Sequence, residues 1–229
     1  MLEVGDIVGI TFWIISVAMV AATAFFFLEA NSVAKQWATS VRVAGLVTLI
    51  AAVHYYYMRA GWVDTGTSPT VYRYIDWLLT VPLQMIEFYL ILAAVGAATS
   101  GMFWRLLVGT LVMLVAGFAG ETGMIGSAAI AFVIGIAGWI YILYEVFAGE
   151  AGQASAASNS EAQKSAFNTM KWIVSVGWCI YPIGYFMGYL TGGGTDAATL
   201  NGVYNIADFV NKIAFGLAIW AAAKSESKA

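Results

Sequence analysis

The sequence predicts an all-α protein, a bundle of seven transmembrane helices, and three observations support this fold class. Hydrophobic residues make up 61% of the chain and charged residues only 10%, whereas a soluble domain has about 25% charged residues. The mean hydropathy is +0.81. Seven apolar segments, each roughly 18–25 residues long, match the ~30 Å hydrocarbon core of a bilayer. The sequence lacks the alternating pattern of a membrane β-barrel.

Each predicted span is an apolar run that ends at polar or turn-forming residues. The spans are residues 5–28, 38–58, 71–95, 103–120, 127–147, 166–190 and 200–223. Residues 148–165 form the longest polar stretch and are predicted to be a linker. The tyrosines at 55–57 and Trp62, at the end of the second span, suit an interfacial aromatic belt. No internal repeat is evident, so residues 1–229 are predicted to form a single domain.

Composition also argues against several kinds of partner and site. The formal net charge is only −3 and there is no basic tract, so we expect no nucleic-acid partner. The single cysteine, Cys179, excludes an intramolecular disulfide, and with the single histidine, His54, it predicts no metal site. The first residues lack the basic stretch and cleavage site of a signal peptide.

The distribution of basic residues predicts the orientation. With seven spans the two termini lie on opposite sides of the membrane. Arg59 is the single basic residue outside the spans in one set of loops. The other set, counted with the adjoining ends of the spans, holds Lys35, Arg42, Arg105, Lys164, Lys171, Lys224 and Lys228. Because cytoplasmic loops are enriched in lysine and arginine, the N-terminus is predicted to be extracellular or periplasmic and the C-terminus cytoplasmic.

The third span carries ionisable residues within a long apolar run. At roughly 100° per residue, the step from Asp76 to Glu87 returns to within about 20° of the same direction, so both carboxyls share a face about 16 Å apart along the axis. Arg73 precedes Asp76 by one turn. Each charge at mid-bilayer costs about 2.5–3.5 kcal/mol, which favours a polar pathway inside a bundle. The alternative is a structural ion pair between Arg73 and Asp76, with Glu87 merely tolerated.

The last span carries a second charged pair. Asp208 and Lys212 are four residues apart and share a helix face near the middle of the span. Burial disfavours the charged form of a lysine, and a neutral buried amine can attack an aldehyde to form a Schiff base. A protonated Schiff base would then need buried counter-ions, which Asp76 and Asp208 could supply. The alternative is a salt bridge that only joins the last helix to the bundle.

Three motifs carry a resemblance to a known family. The segments RYIDWLLTVPLQMIE, WCIYPIGY and DFVNK, on the third, sixth and seventh spans, resemble the microbial rhodopsin family, and the match extends over all seven helices in order. Glu87 in place of aspartate, together with His54 on the second span, is most similar to the proteorhodopsin branch. Gln84 is similar to the blue-absorbing form of that branch.

The resemblance implies a cofactor and a role for each charged residue. Lys212 would bind all-trans retinal, and Asp76 would accept the Schiff-base proton. Glu87, kept protonated in an apolar inner half, would return a proton from the cytoplasmic side. Asp208 would complete the counter-ion, and Arg73 would tune the carboxylates and gate the outer pathway.

Further residues are assigned by the same resemblance. His54 would hydrogen-bond to Asp76 and make pumping depend on external pH, the alternative being a lone polar residue at a helix interface. Glu121 is predicted to be an ordinary interfacial carboxylate, the alternative being a residue that helps to release the proton. The chromophore pocket would be formed, together with Asp208, by Trp77, Thr80, Gln84, Met113, Trp139, Trp178, Tyr181, Pro182, Tyr185 and Tyr204. For any one of these aromatic residues taken alone, a place in a generic aromatic core is the simpler interpretation.

The implied function is a light-driven outward proton pump, a transporter rather than an enzyme, in a bacterial inner membrane. The presence of Asp76, Thr80 and Glu87 argues against the sodium and chloride pumps of the family, which replace the first or last member of this set. Two alternatives stay open: a retinal photosensor acting through a separate transducer, and a seven-helix protein without retinal. The expected partners are the lipid bilayer, protons and further copies of the chain in a ring such as a pentamer or hexamer.

Overall fold

The computed structural model describes residues 3–192 and 196–227. Within them, seven helices are long and apolar enough to cross a membrane, and no strand is present, which confirms the predicted fold class. The helices are α1 Ile7–Glu29, α2 Ala38–Thr65, α3 Thr70–Ala93, α4 Ser100–Glu121, α5 Ala128–Ala157, α6 Glu161–Leu190 and α7 Ala197–Glu226.

The helices form a closed ring. Each helix packs against the next, and α7 packs against both α6 and α1. Because consecutive helices alternate in direction, the end of α7 lies beside the ends of α1, α3 and α5; we call this side the C-terminal end of the bundle and the other the N-terminal end. Most of the basic residues that predicted the orientation belong to the C-terminal end, and Lys228 lies outside the described residues.

Apolar side chains cover both the inside and the outside of the bundle. Ile14, Trp104 and Val133 are 56%, 60% and 66% exposed, which suits a surface that faces lipid. Inside, the ring of Phe88 on α3 lies 5.0 Å from that of Phe167 on α6, centroid to centroid. The ring of Phe215 on α7 lies 5.8 Å from Phe88. This cluster holds α3, α6 and α7 together beside Glu87.

The predicted linker at residues 148–165 is wrong, because most of it is helical. After a break at Ala148 and Gly149, α5 continues as Glu150–Ala157, and α6 already begins at Glu161. The stretch is rich in alanine, which favours helix even where the segment is polar. Ser160 caps α6 by accepting a hydrogen bond of 3.0 Å from the N–H of Gln163.

The middle of α6 departs from regular helix on both sides of Pro182. A 3₁₀ turn spans Gly177–Cys179, and a π-helical turn spans Phe186–Leu190. Pro182 has no N–H to donate to the preceding turn. Asn211 of α7 donates to the carbonyl oxygen of Gly177 at 3.2 Å. A Cβ at Gly177 would lie 2.4 Å from the Asn211 Oδ1, so a larger residue there would displace the Asn211 side chain.

Candidate functional site

A buried ion-pair cluster joins α3 to α7. Lys212 is 3% exposed, and its Nζ donates to the Oδ2 of Asp76 and to the Oδ2 of Asp208 at 2.9 Å. Asp76 and Asp208 are 0% and 1% exposed. An ion pair between Arg73 and Asp76, the structural alternative for the third span, is not found among the ion pairs of residues 3–192 and 196–227. Lys212 is the cation that Asp76 contacts.

The two carboxylates of the cluster differ in their hydrogen bonds. Asp208 accepts from Lys212, from the hydroxyls of Tyr55 at 2.9 Å and Tyr181 at 2.6 Å, and from the indole of Trp77 at 3.2 Å. Both of its oxygens therefore have donors. Asp76 accepts from Lys212 through Oδ2, while its buried Oδ1 has no partner. Asp76 thus has a free oxygen, beside a nitrogen, at which a proton can be placed.

Tyr55 belongs to this cluster, although the sequence suggested a place in the interfacial belt. That prediction was wrong for Tyr55, which is 0% exposed. Its hydroxyl donates to Asp208 and accepts from Arg73 at 3.5 Å, so it bridges the two. The signal that could have found it is helical spacing, since Tyr55 follows the buried residues Ala44, Thr48 and Ala51 on one face of α2.

Arg73 lies on the N-terminal side of the cluster and is held by amides rather than by carboxylates. Its Nη2 donates to the Oδ1 of Asn201 at 2.7 Å and to the Oδ1 of Asn205 at 3.0 Å. Sequence reasoning missed both asparagines, whose side chains occupy the inner face of α7 one turn apart. The guanidinium carbon lies 5.5–6.0 Å from the ring centroids of Phe12, Tyr55, Trp77 and Tyr204.

His54 does not form the predicted hydrogen bond with Asp76. Its Nδ1 is 2.9 Å from the carbonyl oxygen of Ile50, one turn earlier in α2, and the Oδ1 of Asp76 has no partner. The imidazole is bonded within its own helix. In this structure His54 therefore matches the alternative of a polar residue satisfied at a helix interface.

Glu87 and Thr80 continue the buried face of α3 towards the C-terminal end. Glu87 is 0% exposed, and neither of its carboxyl oxygens has a hydrogen-bond partner. Ser40 and the backbone of Ala44 on α2 are the polar groups that approach it. Thr80 is also fully buried, and its hydroxyl donates to the carbonyl oxygen of Asp76 at 2.9 Å. A carboxyl with two unpaired oxygens in an apolar setting favours its neutral form.

A mostly apolar cavity lies next to the ion-pair cluster, between α3, α4, α5, α6 and α7. The empty space between its walls, including the open side, is about 820 Å³. The predicted pocket residues that line it are Lys212, Asp208, Trp77, Gln84, Met113, Trp139, Trp178, Tyr181, Pro182, Tyr185 and Tyr204. Thr80 is not among the lining residues, because its side chain turns to the backbone of its own helix.

Glu121 also lines this cavity, which corrects its assignment as an ordinary interfacial carboxylate. Its Oε1 accepts from the hydroxyl of Tyr74 at 2.8 Å, and its Oε2 accepts from the hydroxyl of Tyr189 at 2.9 Å. These bonds tie the end of α4 to α3 and α6. Position at the end of an apolar span suggested an interfacial residue, while the two tyrosines from distant parts of the chain cover the carboxyl in part.

Comparison with known proteins agrees with this geometry. The model of the family described as bacteriorhodopsin-like protein matches residues 6–226. The chain belongs to this family. It is 56% identical to a blue-light absorbing proteorhodopsin of Gamma-proteobacterium Hot 75m4 over 99% of this chain and 90% of that protein. It is 54% identical, with the same shares covered, to a green-light absorbing proteorhodopsin of Gamma-proteobacterium EBAC31A08.

A solved structure shows the same likeness. Blue light-absorbing proteorhodopsin from Med12 superposes with a TM-score of 0.84 at 52% identity, covering 96% of this chain and all of that chain. Membership of the family confirms the resemblance based on the third, sixth and seventh spans. The protein is therefore a multi-pass membrane protein of the proteorhodopsin branch.

Retinal, bound through a lysine Schiff base, is the cofactor of this family, and the residues present here fit it. Lys212 is the buried lysine of the described part of the chain, and it opens onto the cavity. The cavity wall is mostly aromatic and apolar, which suits a polyene. Next to the lysine, Asp76 and Asp208 provide the negative charge that a buried cation requires.

Proposed function

We propose that this protein is a light-driven outward proton pump in which Lys212 carries all-trans retinal as a protonated Schiff base. The observation that supports it best is the arrangement on α3. Asp76 contacts the Lys212 nitrogen through one oxygen and keeps the other unpaired. Glu87, fully buried and without a partner, lies eleven residues farther along the same helix. An acceptor and a donor on either side of one amine define a direction of transfer.

Retinal, when bound, supplies the absorption of visible light and a change of shape that alters the surroundings of the Lys212 nitrogen. The side chains of the protein accept the proton, return it and stabilise the charges. Asp76 takes a proton at Oδ1, and Asp208 stays in place as a counter-ion because Tyr55, Tyr181 and Trp77 bond to it. Arg73, coupled to Asp208 through Tyr55, provides positive charge on the N-terminal side.

Glu87 holds the proton that restores the starting state. Its carboxyl lies in an apolar region beside Phe88, where neutral carboxylic acid is favoured until a proton is needed. Two carboxyls placed in different environments can serve as acceptor and donor. Because α3 places Asp76 nearer the N-terminal end and Glu87 nearer the C-terminal end, protons move from the C-terminal end to the N-terminal end.

The direction becomes outward when the N-terminus faces out and the C-terminus lies in the cytoplasm. The concentration of basic residues at the C-terminal end supports this orientation. We propose a single seven-helix domain in a bacterial inner membrane, acting as a transporter rather than an enzyme. Rings of several copies, such as pentamers or hexamers, remain part of this proposal.

Illumination of intact cells or oriented vesicles tests the proposal. With retinal supplied, light is expected to acidify the side of the N-terminus, and a protonophore should abolish the pH change. A coloured protein that leaves the pH unchanged under light would instead support the photosensor, which acts through a separate transducer. Glu87 favours the pump over that alternative, because a sensor has little use for a buried proton donor.

Replacing Glu87 by glutamine is expected to slow the return to the starting state without removing colour. Glutamine keeps the shape but carries no transferable proton, and proton transfer by a positioned group typically contributes about 10²–10⁴-fold. Flash photolysis measures the recovery rate. Glu161→Gln, at an exposed position on the same side of the bundle, serves as the control. Unchanged recovery in Glu87→Gln would remove this residue from the donor role.

Gln84 is expected to give blue absorption. Its side chain lines the cavity and its Nε2 has no hydrogen-bond partner, so the amide dipole acts on the chromophore. A dipole that favours charge near the nitrogen in the ground state widens the electronic gap. Gln84→Leu should therefore shift the absorption band to longer wavelength in a visible spectrum. A band that stays in place would assign the colour to other residues.

A further inference from the structure

Unpaired buried polar atoms point to a site beyond the acceptor and the donor. Such atoms are rare in folded proteins, and each needs an explanation. Within the described residues they occur on Arg59, Arg73, Asp76, Gln84, Glu87 and Gln163. Those of Arg73, Asp76, Gln84 and Glu87 belong to the pathway or to the cavity already described. Arg59, near the N-terminal end of the bundle, lies over the ring of Trp13. Gln163 remains, and it has no role in the pathway or the cavity.

Gln163 is fully buried in the first turn of α6. Its Nε2 donates to the Oγ of Ser155 at 3.2 Å, while its Oε1 has no partner. Glu145, a buried carboxylate in the same half of the bundle, is by contrast bonded to Arg105 and to the N–H of Ala151. The free oxygen of Gln163 is an acceptor ready for a further donor.

Helix packing places Gln163 beyond Glu87 on the way to the C-terminal surface. Phe88, next to Glu87, packs on Phe167 with ring centroids 5.0 Å apart. Gln163 precedes Phe167 by four residues and therefore lies about 6 Å farther towards the C-terminal end. At that level α3 contributes Leu92, which is fully buried and apolar. Leu92 itself offers no polar group to a proton that travels towards Glu87 along α3.

A surface recess continues the polar route outward. It is lined by Glu226, Ser160 and neighbouring small residues from the ends of α3 and α5. The Oγ of Ser160 donates to the Oε1 of Glu226 and, as the N-cap of α6, accepts from the backbone N–H of Gln163. The recess therefore has a carboxylate and a hydroxyl, and that hydroxyl caps the turn of α6 that carries the buried Gln163 side chain.

We propose that Gln163 binds water at its Oε1 and that this site, entered from the recess at Ser160 and Glu226, is the uptake entrance that refills Glu87. The inference rests on the proposed pump function. A proton enters from bulk water, each hydrogen-bonded water on the route accepts one proton and passes one on, and the Glu87 carboxylate receives it. Gln163 is a positioning residue, since it orders the water and does not itself ionise.

Gln163→Met tests this entrance, because methionine keeps the length and approximate volume but removes both polar atoms. Reprotonation of Glu87 after a flash is expected to slow about five- to tenfold, the effect of losing one hydrogen bond on the route. The absorption spectrum should not change. Gln163→Glu, which keeps an acceptor oxygen, should stay within about twofold of the wild-type rate. Gln153→Met alters an exposed glutamine at the same end and is the matched control.

Azide, a small weak acid that carries protons directly from the bulk, should restore the rate of Gln163→Met. Slow recovery that azide does not restore would indicate a disturbed structure and would overturn the inference. A second measurement needs no pigment. In retinal-free protein moved into D₂O, the infrared carboxyl band of Glu87, identified by its loss in Glu87→Gln, should exchange more slowly in Gln163→Met than in wild type.

The two proposals can be told apart by their results. If Glu87→Gln slows recovery while Gln163→Met changes neither recovery nor carboxyl exchange, the pump proposal stands and the entrance at Gln163 is refuted. If Glu87→Gln leaves recovery unchanged, both are refuted, because the group that the entrance would refill is not the donor.

Discussion

Lys212→Ala is expected to abolish the visible absorption band that forms when all-trans retinal is added to the wild-type protein. Lys212 is the buried lysine of the described residues, and its nitrogen opens onto the cavity. Without this amine no Schiff base can form, so the band should be lost entirely rather than shifted. An absorption spectrum recorded before and after retinal addition measures the effect.

The control must separate loss of the amine from loss of the fold. Removing Lys212 leaves Asp76 and Asp208 without their cation, and breaking a buried pair costs about 3–5 kcal/mol. The double variant Lys212→Ala/Asp76→Asn removes part of that excess charge and should also be colourless. Lys224→Ala, which removes a lysine near the end of the same helix, should form pigment normally. A visible band in a folded Lys212→Ala protein would refute the proposed attachment site.

The fold could be predicted from the sequence because the bilayer imposes a simple rule. A span needs about 20 apolar residues, and each of the seven runs meets that length. The predicted bounds were wrong where a polar segment is nevertheless helical. Residues 148–165 are polar enough to suggest a linker, yet their alanine content and the Ser160 cap make most of them helical. At the other side of the bundle, α2 runs on to Thr65 rather than ending at residue 58.

The charged cluster could also be predicted, because its members carry their own signal. An ionisable side chain in an apolar span is costly, so Asp76, Glu87, Asp208 and Lys212 stand out without a structure. The helical period then places each pair on one face. That reasoning does not say which cation meets which carboxylate. The structure pairs Asp76 with Lys212 on another helix rather than with Arg73 on its own.

The uncharged hydrogen-bond partners of Asp208 and Arg73 could not be predicted from the sequence. Tyr55, Asn201 and Asn205 are ordinary residues by composition, and their roles depend on which helix each one faces. Tyr55 links Asp208 to Arg73, and the two asparagines hold the guanidinium on the N-terminal side. His54 shows the converse case, since a residue chosen by resemblance bonds to its own helix here. Such contacts follow from the packing of α2, α3 and α7 together.

Asp76→Asn is expected to abolish outward proton transport while leaving the protein coloured. Asparagine keeps the shape of the side chain but cannot take up a proton at Oδ1, and loss of a general base typically lowers a rate about 10²–10⁴-fold. Without the negative charge of Asp76, the positive charge at the Lys212 nitrogen is also less well stabilised. The absorption band should therefore move to longer wavelength. Light-driven acidification by vesicles, with the spectrum of the same sample, measures both effects.

Two comparisons make this result specific to the acceptor. Asp64→Asn changes an exposed carboxylate of α2 and should leave transport and spectrum unchanged. Asp208→Asn removes the acceptor of Tyr55, Tyr181 and Trp77, so we expect it to weaken pigment formation as well as transport.

Acid should act on the wild type as the Asp76→Asn substitution does, because protonating Asp76 removes both its negative charge and its capacity to accept a proton. The wild-type spectrum at low pH should therefore approach that of Asp76→Asn, and transport should fall over the same pH range. If Asp76→Asn retained transport within about tenfold of wild type, another group would have to receive the proton.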